Sequence, residues 1–298
     1  MFLSVMAIFL VYATIFIIFE DYDRHVIQPL TSQTDWHLLG FSLLVMLLLA
    51  FLLHRYAHRM DRRIDREQAQ RENEMRRQLT QNIAHELKTP VAGILGFTET
   101  MLDNPQMSPQ MQRDFLNRSH QQARRLASLL QDLSTLNRID YAPDIIEKKP
   151  VDLTQVIDET AREVQHQLAQ RQMNVSLQLP PRMMTVGNEE LLYSALRNLF
   201  DNAINYAGAG TQVTVSARRK GRHWHITFRD NGVGVAPEHL GRLFERFYRV
   251  DKGRSRQMGG TGLGLAIVKN TIQLHGGTIE ARQANGGGLQ FLFTLPVE

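Results

Sequence analysis
Gly259-Gly260-Thr261-Gly262-Leu263-Gly264-Leu265, which opens a helical stretch, is the passage on which the fold turns. Glycines ahead of a helix start leave backbone N–H groups open to phosphate. Two common nucleotide folds use such glycines, and neither fits. A Rossmann unit needs a strand running directly into the glycines, a βαβ crossover and an acidic residue about 20 residues on. A Walker loop needs Lys-Ser or Lys-Thr after the glycines. The sequence has none of these features.

Working back from the glycines, Phe244-Glu245-Arg246-Phe247-Tyr248-Arg249 leads on to Arg254 and Arg256. This segment reads as a lid that brings guanidinium groups to a triphosphate. Further back, Asp230-Asn231-Gly232-Val233-Gly234 follows a strand directly. A carboxylate at a strand end accepts a hydrogen bond from an exocyclic adenine amine, and the glycines let backbone approach the ring. Earlier still comes Asn198-Leu199-Phe200-Asp201-Asn202-Ala203. Asn198 and Asn202 share a helical face. Neutral amide oxygens suit a Mg²⁺ that already receives charge from phosphates. Each of these signals is weak alone, because Asp-Asn-Gly is also an ordinary turn.

Around these motifs the pattern mixes helix and strand. Ala142-Pro143 and Lys149-Pro150 mark a linker. Helices are expected over 153–170, 189–206 and 263–275. Strands are expected over 174–179, 212–218, 224–229, 278–281 and 290–295. Strands that group together with helices over one face predict an α+β sandwich across 146–298.

Upstream the period becomes purely helical. Leu79, Ile83, Leu87, Val91, Ile94, Thr98 and Met101 form one seam, and Phe115, Gln122, Leu126, Leu129, Leu133 and Leu136 a second. Turn and start signals from Asp103-Asn104-Pro105 to Ser108-Pro109 join them into an all-α hairpin over 79–140. A two-helix hairpin buries its apolar face poorly, so a homodimeric four-helix bundle is expected. Its first helix carries His85-Glu86-Leu87-Lys88-Thr89-Pro90. His85 lies off the seam and faces solvent, where a neutral imidazole is a nucleophile toward phosphorus. Glu86 is placed to take the proton from its other nitrogen. Thr89 lies one turn on, and Pro90 should kink the helix beside the histidine.

The remaining N-terminal part belongs to a membrane. Met1 to Phe19 has no charged side chain, and Leu38 to Leu53 is a second uncharged run between Trp36 and Tyr56. Two transmembrane helices are expected, at 1–19 and 38–55, joined by a short extracytoplasmic loop at 20–37. A helical juxtamembrane linker at 56–78 follows. The loop carries Glu20, Asp21, Asp23 and Asp35 against Arg24, whereas Arg55, Arg59, Arg62, Arg63 and Arg66 follow the second run. Positive charge stays inside, so both termini are expected in the cytoplasm of a bacterial-type inner membrane. The chain as a whole has 298 residues, 43% hydrophobic and 21% charged, with a formal charge of +4. That excess does not argue for nucleic acid as a direct partner. The absence of cysteine excludes disulfides, thiolate metal sites and thiol catalysis.

Taken in order, these motifs resemble those of a membrane-bound sensor histidine kinase of a two-component system. The resemblance runs from Leu79 to Pro296. His85-Glu86-x-x-Thr89-Pro90 is similar to the H box and Asn198 to Tyr206 to the N box. Asp230 to Gly234 is similar to the G1 box, Phe244 to Phe247 to the F box, and Gly260 to Gly264 to the G2 box. It implies a phosphotransfer hairpin followed by a Bergerat-type ATP-binding domain. It also implies ATP-dependent autophosphorylation of His85, transfer to an aspartate of a response regulator, and phosphatase activity through Thr89. By the same resemblance Asn202, with Asn198, is the Mg²⁺ ligand, Asp230 the adenine anchor and Tyr206 part of the adenine pocket. Gly232, Gly234, Phe244, Arg246, Phe247, Arg249, Gly260, Thr261, Gly262, Leu263 and Gly264 complete the implied nucleotide site. Two departures stand out. Asn205 replaces a common lysine, for which Arg246 or Arg249 is a candidate substitute. The space between Leu53 and Leu79, about 25 residues, is too short for a HAMP module. A Bergerat-fold ATPase motor and a nucleotide-binding scaffold are the competing readings; the histidine motif counts against the first, and the presence of every expected catalytic residue type against the second.

Overall fold
The computed structural model describes Tyr12 and residues 32–251 and 260–298. It divides into two compact units, Met1–Arg76 and Arg77–Glu298. The first helix, α1 (Ser32–Asp103), contributes to both.

In the first unit, Gly40–Met60 is a 21-residue stretch with mean hydropathy 1.8, and none of it is buried within the chain. Phe41, Leu44, Leu47 and Leu52 all stand exposed. Length and composition qualify it to cross a bilayer. This stretch overlaps the expected span at 38–55 and runs on to Met60. Among the described residues it is the one such stretch. The expected first span (1–19, apart from Tyr12) and most of the 20–37 loop lie outside the described residues.

The second unit begins with the helical hairpin. α1 ends at Asp103, and α2 (Pro109–Tyr141) starts where the Ser108 hydroxyl accepts from the Met111 N–H at 3.3 Å with proline in the first turn. Phe97 and Phe115 meet across the two helices with ring centroids 5.6 Å apart. Pro90 lies within α1 and is buried.

The rest is an α/β layer structure. β1 (Lys149–Asp152) leads to α3 (Leu153–Glu163) and α4 (Gln165–Gln170). β2 (Asn174–Gln178), β3 (Met184–Gly187) and α5 (Glu189–Tyr206) follow. Then come β4 (Gln212–Lys220), β5 (His223–Asp230), the short α6 (Pro237–Leu240), α7 (Gly264–Leu274), β6 (Ile279–Gln283) and β7 (Leu289–Pro296). The main sheet has order β2-β4-β5-β7-β6, with β2 and β4 parallel and the other pairs antiparallel. Trp224, Ile226 and Phe228 alternate inward on β5, as do Leu289, Phe291, Phe293 and Leu295 on β7. They close on Leu153, Ile157, Leu196, Leu199, Val268 and Ile272 from the helices. Burying each such side chain stabilises the fold by about 1.5–3 kcal/mol.

Two features depart from the sequence expectation. Lys149-Pro150 is strand, not linker: β1 pairs antiparallel with β3, Pro150 opposite Val186. The expected single helix over 153–170 is two helices, meeting at Val164.

Candidate functional site
A cavity of about 820 Å³ lies in the α/β layer beside the hairpin. α5 supplies one wall. Its start is fixed by Asn188, whose side chain accepts from the Leu191 N–H at 3.0 Å, with Glu189 and Glu190 in the first turn. Leu192, Leu196 and Leu199 hold one face of the helix in the core. Asn198, Asn202, Asn205 and Tyr206 line the cavity from the other. Asn198 Nδ2 donates to the Ser194 carbonyl at 2.9 Å, which leaves Oδ1 as acceptor. That oxygen lies 2.3 Å from where a Cβ on Gly264 would sit, so a side chain at 264 would have to displace the Asn198 amide.

β5 supplies the floor. Asp230 takes the next inward position after Trp224, Ile226 and Phe228, so a carboxylate stands where the alternation calls for an apolar side chain. Its Oδ1 accepts from the Gly232 N–H at 2.9 Å and the Leu289 N–H at 3.3 Å. Burial pushes its pKa up, and the two backbone donors pull against that. Gly234, Gly260, Thr261, Gly262 and Gly264 also line the cavity.

Of the other expected nucleotide residues, Arg249 lines the cavity and Gly232, Phe244, Arg246, Phe247 and Leu263 do not. Phe244 packs edge-on against Phe291 in the core, centroids 6.1 Å apart. Phe247 has φ +62 and packs with Leu263 and Ile267 against Leu129 and Leu136 of α2. Gly232 is engaged through its N–H on Asp230 and is not on the cavity wall. Arg246 pairs with Asp140 of α2 at 2.6 Å. Arg249 lines the cavity, yet its guanidinium pairs with Glu86 of α1 at 3.0 Å and is 5% exposed. Arg254 and Arg256 lie outside the described residues.

On the hairpin, the His85 side chain is 65% exposed, with Nδ1 3.8 Å from Glu86 Oε1. Glu86 Oε2 also accepts from Arg125 of α2 at 3.2 Å, so this carboxylate sits between two guanidinium groups. The Thr89 hydroxyl donates to the His85 carbonyl at 3.2 Å. None of His85, Glu86 and Thr89 lines the cavity.

Several cavity residues escaped the sequence reading. Ser128 and Asp132 reach it from α2, and Asp201, Arg197 and Tyr193 from α5. Burial pushes the Asp201 pKa up, while the Arg197 guanidinium at 3.1 Å pulls it back. Asp132 did carry a signal. It stands three residues after Leu129 and four before Leu136, so it is an acid on an apolar stripe.

Known proteins share this arrangement. Residues 75–142 match the family described as His Kinase A (phospho-acceptor) domain. Residues 187–298 match the family of histidine kinase-, DNA gyrase B- and HSP90-like ATPases. The chain belongs to the sensor histidine kinases. The sensor-like histidine kinase SenX3 of Mycolicibacterium smegmatis is 36% identical over 221 residues, which are 74% of this chain and 57% of that protein. The phosphate regulon sensor protein PhoR of Pseudomonas aeruginosa is 36% identical over 219 residues, 73% of this chain and 49% of that one. This kinase chain thus spans about half the length of these relatives. The structure of the Acinetobacter baumannii histidine kinase AdeS superposes with a TM-score of 0.58 at 25% identity, covering 72% of this chain and 98% of that one. Histidine kinase ThkA in complex with the response regulator protein TrrA shares the fold, with a TM-score of 0.61 at 18% identity over 74% of this chain and 61% of that one.

Proposed function
We propose that the chain is a protein-histidine kinase that binds ATP in the α/β cavity and phosphorylates His85. It then passes the phosphoryl group to an aspartate of a response regulator. The observation that carries this reading is the presence, in one chain, of an exposed His85 on the hairpin and a cavity with a buried carboxylate on its floor and glycine-rich backbone at its wall. Asp230 Oδ1 is occupied by backbone donors, so Oδ2 is assigned to the adenine amine. Asn202, with the Asn198 Oδ1 acceptor, would hold Mg²⁺, which offsets phosphate charge when bound. Tyr206 is assigned to the adenine pocket. Gly260, Thr261, Gly262 and Gly264 are assigned to the phosphates.

The domain assignment follows: hairpin over 79–140 and ATP-binding domain over 146–298. The membrane part is read as spans at 1–19 and 38–55, a loop at 20–37 and a linker at 56–78. Both termini are placed in the cytoplasm and the chain is read as multi-pass in an inner membrane. The chain acts as a homodimer, since the hairpin leaves the seam residue Val91 and the neighbouring Leu95, Leu102 and Leu116 exposed. ThkA is found with a response regulator, and the same class of partner is assigned here. Because His85 is off the cavity wall, transfer needs either a shift of the α/β part along its own hairpin or the cavity of the partner copy.

Incubation with γ-labelled ATP tests the reading. The expected product is an acid-labile, alkali-stable label on the chain. Phosphate release without label would instead indicate an ATPase motor, and neither product a nucleotide-binding scaffold. Mixing His85→Ala with Asn202→Ala subunits decides the route, because label in the mixture requires transfer between copies.

A further inference from the structure
The hairpin touches the α/β part on groups that the ATP reading assigns to nucleotide. The Thr261 hydroxyl, in the glycine-rich segment, donates to Asp132 Oδ2 of α2 at 2.7 Å. Its oxygen also accepts from the Leu263 N–H at 3.2 Å, which fixes it beside the start of α7. Arg249 is held by Glu86 of α1. Leu263 and Ile267 close on Leu129 and Leu136 alongside and exclude water from the contact.

Asp132 differs from Glu86 in one respect: it lines the cavity itself, together with Gly260, Gly262, Asn198 and Asn202. An anion is already lodged at the end of the cavity whose donors suit an anion. Burial raises the Asp132 pKa, the Thr261 hydroxyl lowers it, and the neighbouring Asp201 carboxylate raises it further. A second anion brought beside this part-buried carboxylate is repelled more strongly than it would be in water.

We propose, resting on the reading that this cavity binds ATP, that Asp132 determines nucleotide specificity by competing with the terminal phosphate for the Thr261 end of the cavity. While the hairpin is docked, the cavity admits adenosine or a diphosphate and disfavours a triphosphate. ATP gains its full affinity only when Asp132 leaves Thr261. Arg249 and Glu86 part in the same movement, because both contacts join the same two surfaces.

The test uses the full chain in lipid nanodiscs and measures equilibrium affinity for adenosine and for Mg·AMPPNP, a non-hydrolysable triphosphate. Asp132→Asn keeps the shape of the side chain and removes its charge. It should bind Mg·AMPPNP about tenfold more tightly than the unmodified chain, the size expected for releasing one charged hydrogen bond. Adenosine should bind both equally, which also reports that the variant is folded. Asp132→Ala should repeat the shift. An unchanged ratio of triphosphate to adenosine affinity in both variants overturns the proposal. Weaker triphosphate binding overturns it too, because Asp132 would then be helping to hold the phosphates or their metal. Failure of the unmodified chain to bind adenosine sinks the ATP reading itself.

Discussion
The hairpin and the α/β layer are held together in opposite ways. The α/β layer closes a core of its own, in which Phe200, Phe228 and Phe291 are almost wholly buried. The hairpin has no such core. The buried residues of α2 are Leu129, Leu136 and Ile139. Leu87 and Leu133 of the hairpin pack beside the first two, but the fully buried partners, Leu263 and Ile267 there and Leu191 at Ile139, come from outside the hairpin. Meanwhile Leu95, Leu102, Leu116 and Leu130 remain more than half exposed. One half of the unit is thus a self-sufficient domain. The other borrows its burial from neighbours, which leaves its surfaces free to change partners.

The sharpest way to break this contrast is at the chemistry. His85→Gln should reduce autophosphorylation to nothing while nucleotide affinity is retained, since the imidazole and the cavity belong to different halves. Parallel loss of affinity and label would mean the halves are not separable. Phe228→Ala comes next. It should cost about 3–5 kcal/mol in denaturant melts, as for other buried aromatics. Leu102 is 78% exposed, so Leu102→Ala should stay within about 0.5 kcal/mol in the same melts and act only on dimer dissociation. A Leu102 cost as large as that at Phe228 would reveal a hairpin core after all. Thr89→Ala should slow dephosphorylation of a phosphorylated regulator by on the order of 10²-fold through loss of water alignment, with autophosphorylation kept. Loss of both would make the Thr89 contact to the His85 carbonyl a structural one.

The smallest effect is in pH. The Asp230 pKa lies above its ordinary 3.8 because the carboxyl is buried. Such a group holds its proton more tightly when folded. Its stabilising contribution is full below 3.8 and is lost as pH rises through the folded value. Asp132 and Asp201 shift in the same direction. Asp230→Asn should therefore flatten the decline of thermal stability over that window, and a curve parallel to that of the unmodified chain would reject the assignment.

Local signals carried much of this architecture. α5 runs from Glu189 to Tyr206, the range expected for it, and the turn before Ser108 falls where Asn104-Pro105 puts it. The β1–β3 ribbon was not legible. It joins two four-residue strands far apart in sequence, and Pro150 disguises one of them. The break at Val164 has neither glycine nor proline to announce it. At the site, motif glycines and amides stood out because their chemistry is local. The contacts of Arg246, Arg249 and Phe247 could not be read from sequence, because their partners, Asp140, Glu86 and Leu129, come from the hairpin. Contacts of that range leave no mark on nearby spacing.

Gly288 bears on how this kinase can be varied. It has φ +90, and a Cβ there would lie 2.1 Å from the Asp230 carbonyl oxygen. Every missense change reachable by one base from a glycine codon introduces a Cβ. In a library selected for altered nucleotide preference, position 288 should therefore return as glycine almost without exception, whereas Gly241, which has φ -66 and open space around a Cβ, should accumulate substitutions first.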